Sequence, residues 1–132
     1  MIKRPASLYT AVSGIFLLLQ GISTLAFRLY PPLDQAFPAL LAVTQMIPIH
    51  STLHIITGIL AVVVLVRGGE RGAFWFALGF GLFYLSLGVT GVLSEHQLGL
   101  GLQPFDHPIH LVLGVVGLVA AFLSNRTRKV SS

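Results

Sequence analysis

The sequence predicts an all-α membrane protein, with four transmembrane helices in a bundle built from two parallel-repeat helical hairpins. Three observations carry that prediction. Hydrophobic residues make up 55% of the chain and charged residues only 9%. Four apolar runs contain no Lys, Arg, Asp or Glu, and short segments between them hold the charges. Matched glycines and histidines recur in the two halves. A soluble domain carries about a quarter charged residues, so a chain with mean hydropathy +0.88 leaves its surface to lipid. At 132 residues a single transmembrane domain, residues 1–132, is expected.

The runs are Ala6–Phe27, Pro48–Val66, Ala73–Leu93 and Pro108–Leu123, the last continuing to Asn125. Each approaches the roughly 20 residues that cross a hydrocarbon core at about 1.5 Å per residue. The first follows Lys3 and Arg4 as a signal peptide would. Its apolar stretch is too long for one, and no small-residue cleavage site stands at Tyr30-Pro31-Pro32, so a retained helix is expected. Gly68-Gly69-Glu70-Arg71-Gly72 reads as a tight turn between the second and third helices. Between the first and second, Tyr30–Ile47 contains Pro31, Pro32 and Pro38. Its apolar part, Ala39–Met46, is expected to lie along the interface or to extend the second helix through a kink at Pro48.

Four spans put both ends on one side. That side holds Lys3, Arg4, Arg67, Arg71, Arg126, Arg128 and Lys129, and the other holds only Arg28. Excess Lys and Arg mark the cytoplasmic face, so both termini are expected there. The membrane is a bacterial inner membrane, or a thylakoid membrane in a cyanobacterium. The basic residues form no stripe, which argues against nucleic acid despite the net charge of +4. With no cysteine, disulfides, thiolate metal sites and thiol catalysis are excluded.

The halves, approximately 1–67 and 68–132, resemble each other. Gly14 and Gly21 of the first helix align with Gly81 and Gly88 of the third. His54-Ile55-Ile56-Thr57-Gly58 of the second aligns with His110-Leu111-Val112-Leu113-Gly114 of the fourth. Pro48-Ile49-His50 and Pro108-Ile109-His110 also recur, in a different register. Two copies that each cross twice point the same way and imply a pseudo-twofold axis along the membrane normal. Gly14, Gly21, Gly81 and Gly88, with Gly58, Ala61, Gly114 and Gly117, are expected to bring helices close together in lipid. Ser13, Gln20, Ser23, Thr24, Thr57, Ser86 and Thr90 are expected to turn inward.

All five histidines, His50, His54, His96, His107 and His110, fall on or near the outward side with Asp34, Glu95 and Asp106. His50 and His54, four apart, share a helix face. Asp106 is placed to cap the fourth helix, and Asp106, Glu95 and His96 to support the imidazoles from a second layer. Three chemistries fit. His54 and His110 could ligate haem or chlorophyll, with Gly58 and Gly114 leaving room for a macrocycle. His50, His54, His107 and His110 could bind Zn²⁺ or Cu²⁺. The imidazoles could sense pH or relay protons. A plainer reading makes them neutral, hydrogen-bonded register keys across the bundle. No span holds a carboxylate or Lys, and no nucleophile elbow or phosphate loop occurs, so no enzyme is expected.

The segments His50–Gly58 and Asp106–Gly114 resemble the paired signatures of the DUF4383 family, small bacterial four-helix membrane proteins of unknown function. That family tends to show Asn-x-x-His or Asp-Asn-x-x-His followed by Leu-x-x-Gly at these two places; His50 and His107 stand here beside or at the positions where asparagine is expected. The resemblance implies the four-helix topology and the prominence of His54 and His110, and names no activity. The function expected from the whole is a small accessory subunit of a larger respiratory or photosynthetic membrane complex. The alternative is a free-standing metal-binding or pH-sensing protein, or a homo-oligomeric transporter.

Overall fold

A computed structural model describes residues 4–38, 47–94 and 100–130. It is all-helical among the described residues, in the order α1 (Pro5–Leu29), α2 (Pro31–Ala36), α3 (Pro48–Val63), a π-helical turn (Val64–Gly68), α4 (Gly69–Ser94) and α5 (Asp106–Val130). Pro stands in the first turn of α1, α2 and α3, where its missing N–H costs no helical bond and its fixed φ favours the helix. Ile47 is extended, with φ −70° and ψ 153°. The second helix therefore begins at Pro48 and does not run through it, as a residue before proline is kept out of the α region. Ala39–Met46 lies outside the described residues.

Three continuous helical segments are long and apolar enough to cross a membrane: Pro5–Leu29, Pro48–Ser94 and Asp106–Arg126. The middle one, α3 with the π turn and α4, is 47 residues long. Its halves pack on different partners, α3 on α1 and α4 on α5. The reversal lies at the π turn and at Gly69, whose φ of 53° and ψ of −146° suit a residue without a Cβ. Glu70, Arg71 and Gly72, expected in the turn, already belong to α4. The Gly72 Cα faces Val64, and a Cβ there would lie 3.2 Å from the Val64 carbonyl oxygen, so the chain closes earlier than its glycine-rich motif suggests.

Contacts across the helices fix their directions. A Cβ on Gly14 would lie 2.6 Å from the Ala61 Cβ, and one on Gly21 2.7 Å from the Ser51 carbonyl oxygen; α1 and α3 are antiparallel. A Cβ on Gly81 would lie 2.9 Å from the Leu118 nitrogen, and one on Gly88 2.9 Å from the Leu111 nitrogen; α4 and α5 are antiparallel in the same way. Ala6 N–H donates to Ser124 Oγ at 2.9 Å and Tyr9 Oη–H to the Leu113 carbonyl at 2.8 Å, tying α1 to α5. Thr10 Oγ1–H lies 3.4 Å from the Ala73 carbonyl and ties α1 to α4. The Arg4–Glu70 ion pair sits where α1 and α4 begin. The starts of α3 and α5 share the opposite end.

The two pairs bury equivalent residues. Every buried residue of α1 has a buried counterpart in α4 at one constant register: Ala6 with Ala73, Gly14 with Gly81, Leu17 with Tyr84, Gly21 with Gly88, Thr24 with Gly91. In α3 and α5, His54 corresponds to His110, Gly58 to Gly114 and Ala61 to Gly117, all buried. The contacts correspond too. The Gly58 Cα faces Leu18, and the Gly114 Cα faces Leu85, the residue that matches Leu18 in this register.

Outside these seams the helices present apolar surface. Val12, Leu19 and Val112 are each about 60% exposed, a surface suited to acyl chains and costly in water. The interior is narrow and holds an aromatic row, Tyr9, Phe76, Phe80 and Tyr84, with successive ring centroids 4.3–6.4 Å apart. Not all polar residues turn inward. Ser13, Thr24 and Thr10 are buried, whereas Ser23 and Ser86 are exposed. Ser86 and Thr57 donate to the carbonyls of Leu82 and Leu53 one turn back, at 2.8 and 2.7 Å. A hydroxyl satisfied by its own helix has no need of the bundle interior.

Candidate metal centre

The end at which α3 and α5 begin contains the concentrated chemistry. His50 is the third residue of α3 and His54 the seventh, so a single turn stacks them on one face. Their ring centroids are 4.5 Å apart, at an interplanar angle of 80°. His110, the fifth residue of α5, brings its ring to 6.2 Å from His50. One nitrogen from each of the three lies within 4.8 Å of the others. The helix starts place these residues about 3–9 Å along the helix axes.

All three are buried, at 3%, 4% and 2% exposure. His54 Nδ1 and Nε2, His50 Nδ1 and His110 Nδ1 have no hydrogen-bond partner among the described residues. Each unmet buried polar atom costs about 1–3 kcal/mol. The plain expectation, imidazoles hydrogen-bonded across the bundle, therefore fails at His54, where both nitrogens lack a partner. Buried imidazole nitrogens that converge without partners are the donor type that could hold a cation.

The surroundings hold the cluster in place. Tyr84 of α4 packs edge-on against His110 with centroids 5.0 Å apart. Thr24 of α1 and Ser51 of α3 share a 2.7 Å hydrogen bond beside it. Ser51 was not singled out from the sequence, although its place one residue after His50 puts it on the α1 side of α3. Asp106 is buried at 6% exposure and stands one turn before His110 on α5. It is the first residue of α5. Its Oδ2 accepts the Gln103 N–H at 2.7 Å, three residues back, as the third-position carboxylate of a capping box does.

Other expected residues lie elsewhere. His107 is not one of the converging group; its ring lies against Gly91, the residue that matches Thr24. Its Nδ1 is also buried without a partner. Glu95 and His96 lie outside the described residues. The room assigned to a macrocycle beside Gly58 and Gly114 is filled. A Cβ on Gly58 would lie 2.5 Å from the Leu18 Cγ, and one on Gly114 2.6 Å from the Leu85 Cα. Those glycines serve helix contact.

Compared with known proteins, the chain matches no family model, no curated protein and no solved structure.

Proposed function

We propose that this chain is a membrane protein that crosses the bilayer four times and binds a divalent transition-metal ion, Zn²⁺ or Cu²⁺, through His50, His54 and His110. The observation that carries the reading is the convergence of three buried imidazoles with unsatisfied nitrogens within 4.8 Å. Adjacent donors around a tetrahedral ion stand about 3.3 Å apart, for metal–nitrogen bonds of about 2.0–2.1 Å, so small side-chain movements close the set. Neutral imidazole suits Zn²⁺ and Cu²⁺, and the chain lacks the thiolates that select softer sites. Binding cross-links α3 to α5, and with them the two hairpins.

The matched burial of α1 with α4 and of α3 with α5 supports two copies of one hairpin about an axis along the membrane normal. The charge distribution supports a cytoplasmic face at Arg4, Arg67, Arg71 and Arg126, with the metal near the outward end. The DUF4383 resemblance agrees with this topology. An outward site on a chain without catalytic carboxylates in its spans suits sensing or holding metal. The apolar exterior suits lateral docking on a larger complex, where the accessory role expected from the sequence would be played.

Haem or chlorophyll ligation is the competing chemistry. It asks for a slot between two imidazoles, and His50 stands close to both His54 and His110. Metal analysis of the full chain, purified in mild detergent with its absorption spectrum, separates the two. About one equivalent of zinc or copper is expected, lost in His54→Ala and in His110→Ala, with no Soret or chlorophyll band. A protein that takes up no added Zn²⁺ or Cu²⁺ sinks the metal reading, and a macrocycle band abolished by the same substitutions establishes the other.

A further inference from the structure

The pseudo-twofold that pairs His54 with His110 makes a second pairing. In the same register His50 of α3 corresponds to Asp106 of α5, and both are buried at the same end of the bundle. We propose that Asp106 is the fourth ligand of the ion, so that two symmetry-related pairs, His54 with His110 and His50 with Asp106, form a closed three-imidazole, one-carboxylate site on the axis. This rests on the metal reading and specifies its donor set.

Three further observations agree. First, three neutral imidazoles leave a dication uncompensated in a low-dielectric interior, where isolated charge is costly. Asp106 is the buried carboxylate among the described residues, and it stands four residues, one turn, before His110 on the same face of α5. Second, one oxygen of Asp106 is anchored by the Gln103 N–H at 2.7 Å. That bond orients the carboxylate as outer-shell partners orient ligands; Asp106 stands outside the 4.8 Å group that the three histidines form, so a side-chain rotation is needed to bring its other oxygen to the ion. Third, the neighbouring alternative is directed elsewhere. His107 corresponds to Ser51, and both face inside their own hairpin, Ser51 to Thr24 and His107 to Gly91.

A fourth protein ligand changes what the metal does. Catalytic zinc sites keep one position open for water, and closed sites hold the ion. With Asp106 in place no water is activated. The ion acts as a clamp between the hairpins, occupied or empty according to the metal on the outward side.

The test uses Co²⁺ and Zn²⁺ with the full chain in detergent. The wild-type protein should give the intense visible bands of four-coordinate Co²⁺. Asp106→Asn, which keeps the shape of the side chain, should lose more than about 100-fold in Zn²⁺ affinity and change the Co²⁺ spectrum, since outer-shell groups alone account for about 10–100-fold. The exchange His50→Asp with Asp106→His restores the donor set if the positions are symmetry mates. It should recover the wild-type spectrum that Asp106→Asn loses. Asp106→Asn with an unchanged spectrum and a smaller loss overturns the assignment in favour of an orienting role. An exchange variant that folds and fails to recover the spectrum also overturns it. A wild-type chain that binds neither ion refutes the metal reading itself, a separate outcome.

Discussion

Thr24 of α1 and Ser51 of α3 meet through a 2.7 Å hydrogen bond; at the matching place in α4 and α5, the His107 ring lies on the bare Cα of Gly91. The same exchange runs down the seam. Leu17 in the first hairpin corresponds to Tyr84 in the second, Ser13 to Phe80, and His50 to Asp106. Three glycine pairs at the closest approaches, by contrast, are kept: Gly14 with Gly81, Gly21 with Gly88 and Gly58 with Gly114. In lipid, close backbone approach supplies much of the association, so the packing positions are held while the interior positions diverge. The first hairpin closes with hydroxyls and brings two imidazoles. The second closes with rings and brings one imidazole and the buried carboxylate.

The largest expected effect separates the two seams. A Cβ on Gly114 would run into the Leu85 backbone nitrogen and lie 2.6 Å from its Cα, whereas a Cβ on Gly58 meets first the side chain of Leu18 and then, at 2.9 Å, the carbonyl oxygen of Gly14. Backbone cannot turn aside; a leucine rotamer can. Overpacking costs about 1–3 kcal/mol. Gly114→Ala should fall at about 3 kcal/mol and Gly58→Ala, with one backbone contact, at about 2 kcal/mol, measured by titrating micellar protein with a denaturing detergent and following helicity. Gly79, with nothing within 4 Å of a Cβ, is the control, and Gly79→Ala should be neutral or slightly stabilising. Equal losses at Gly58 and Gly114 would show that the hairpins are packed alike in energy as well as in register.

A smaller effect tests the hydroxyl pair. Ser51→Ala removes the bond to Thr24, but Thr24 Oγ1–H still lies 2.8 Å from the Gln20 carbonyl. The cost should therefore be about 0.5–1 kcal/mol, in line with polar contacts between helices in membranes. Carrying the pair into the second hairpin, as Gly91→Thr with His107→Ser, should be less harmful than Gly91→Thr alone, because the added side chain then meets a small hydroxyl and not a ring. If the double substitution is no better than the single one, the two places are not equivalent.

Much of this was legible from residue order. Gly14, Gly21, Gly81 and Gly88 recur at a helical spacing that only close approach explains, and His54 with His110 stand in the same register against Gly58 and Gly114. His50 could be added because residues four apart share a face. The rest depended on contacts between segments remote in sequence. His107 is only three residues from His110, and which way its ring turns is decided by the missing side chain at Gly91. The direction of Ser86 and Thr57 was missed because a carbonyl of their own helix meets the hydroxyl, so polarity exerts no inward pull. The reversal before Glu70 was misplaced because a π turn begins it at Val64. That turn leaves no sign in composition, whereas the glycines after it do.

The smallest expected effect is at the opposite end from the proposed metal site. Arg4 and Glu70 join the start of α1 to the start of α4, with side chains 71% and 53% exposed. Solvent screens such a pair, and ordering two long side chains offsets most of what remains, so exposed ion pairs contribute about 0–1 kcal/mol. Arg4→Ala and Glu70→Ala should each shift stability by less than about 0.5 kcal/mol, with a coupling of the same size in a double-mutant cycle. Nearby, Thr10 against the Ala73 carbonyl already holds α1 to α4, so the charges add little to a seam that packing closes. A coupling well above 1 kcal/mol would mean that charge pairing holds the basic end together. The bundle would then be tied electrostatically at both ends, by an ion pair between α1 and α4 and by a metal between α3 and α5.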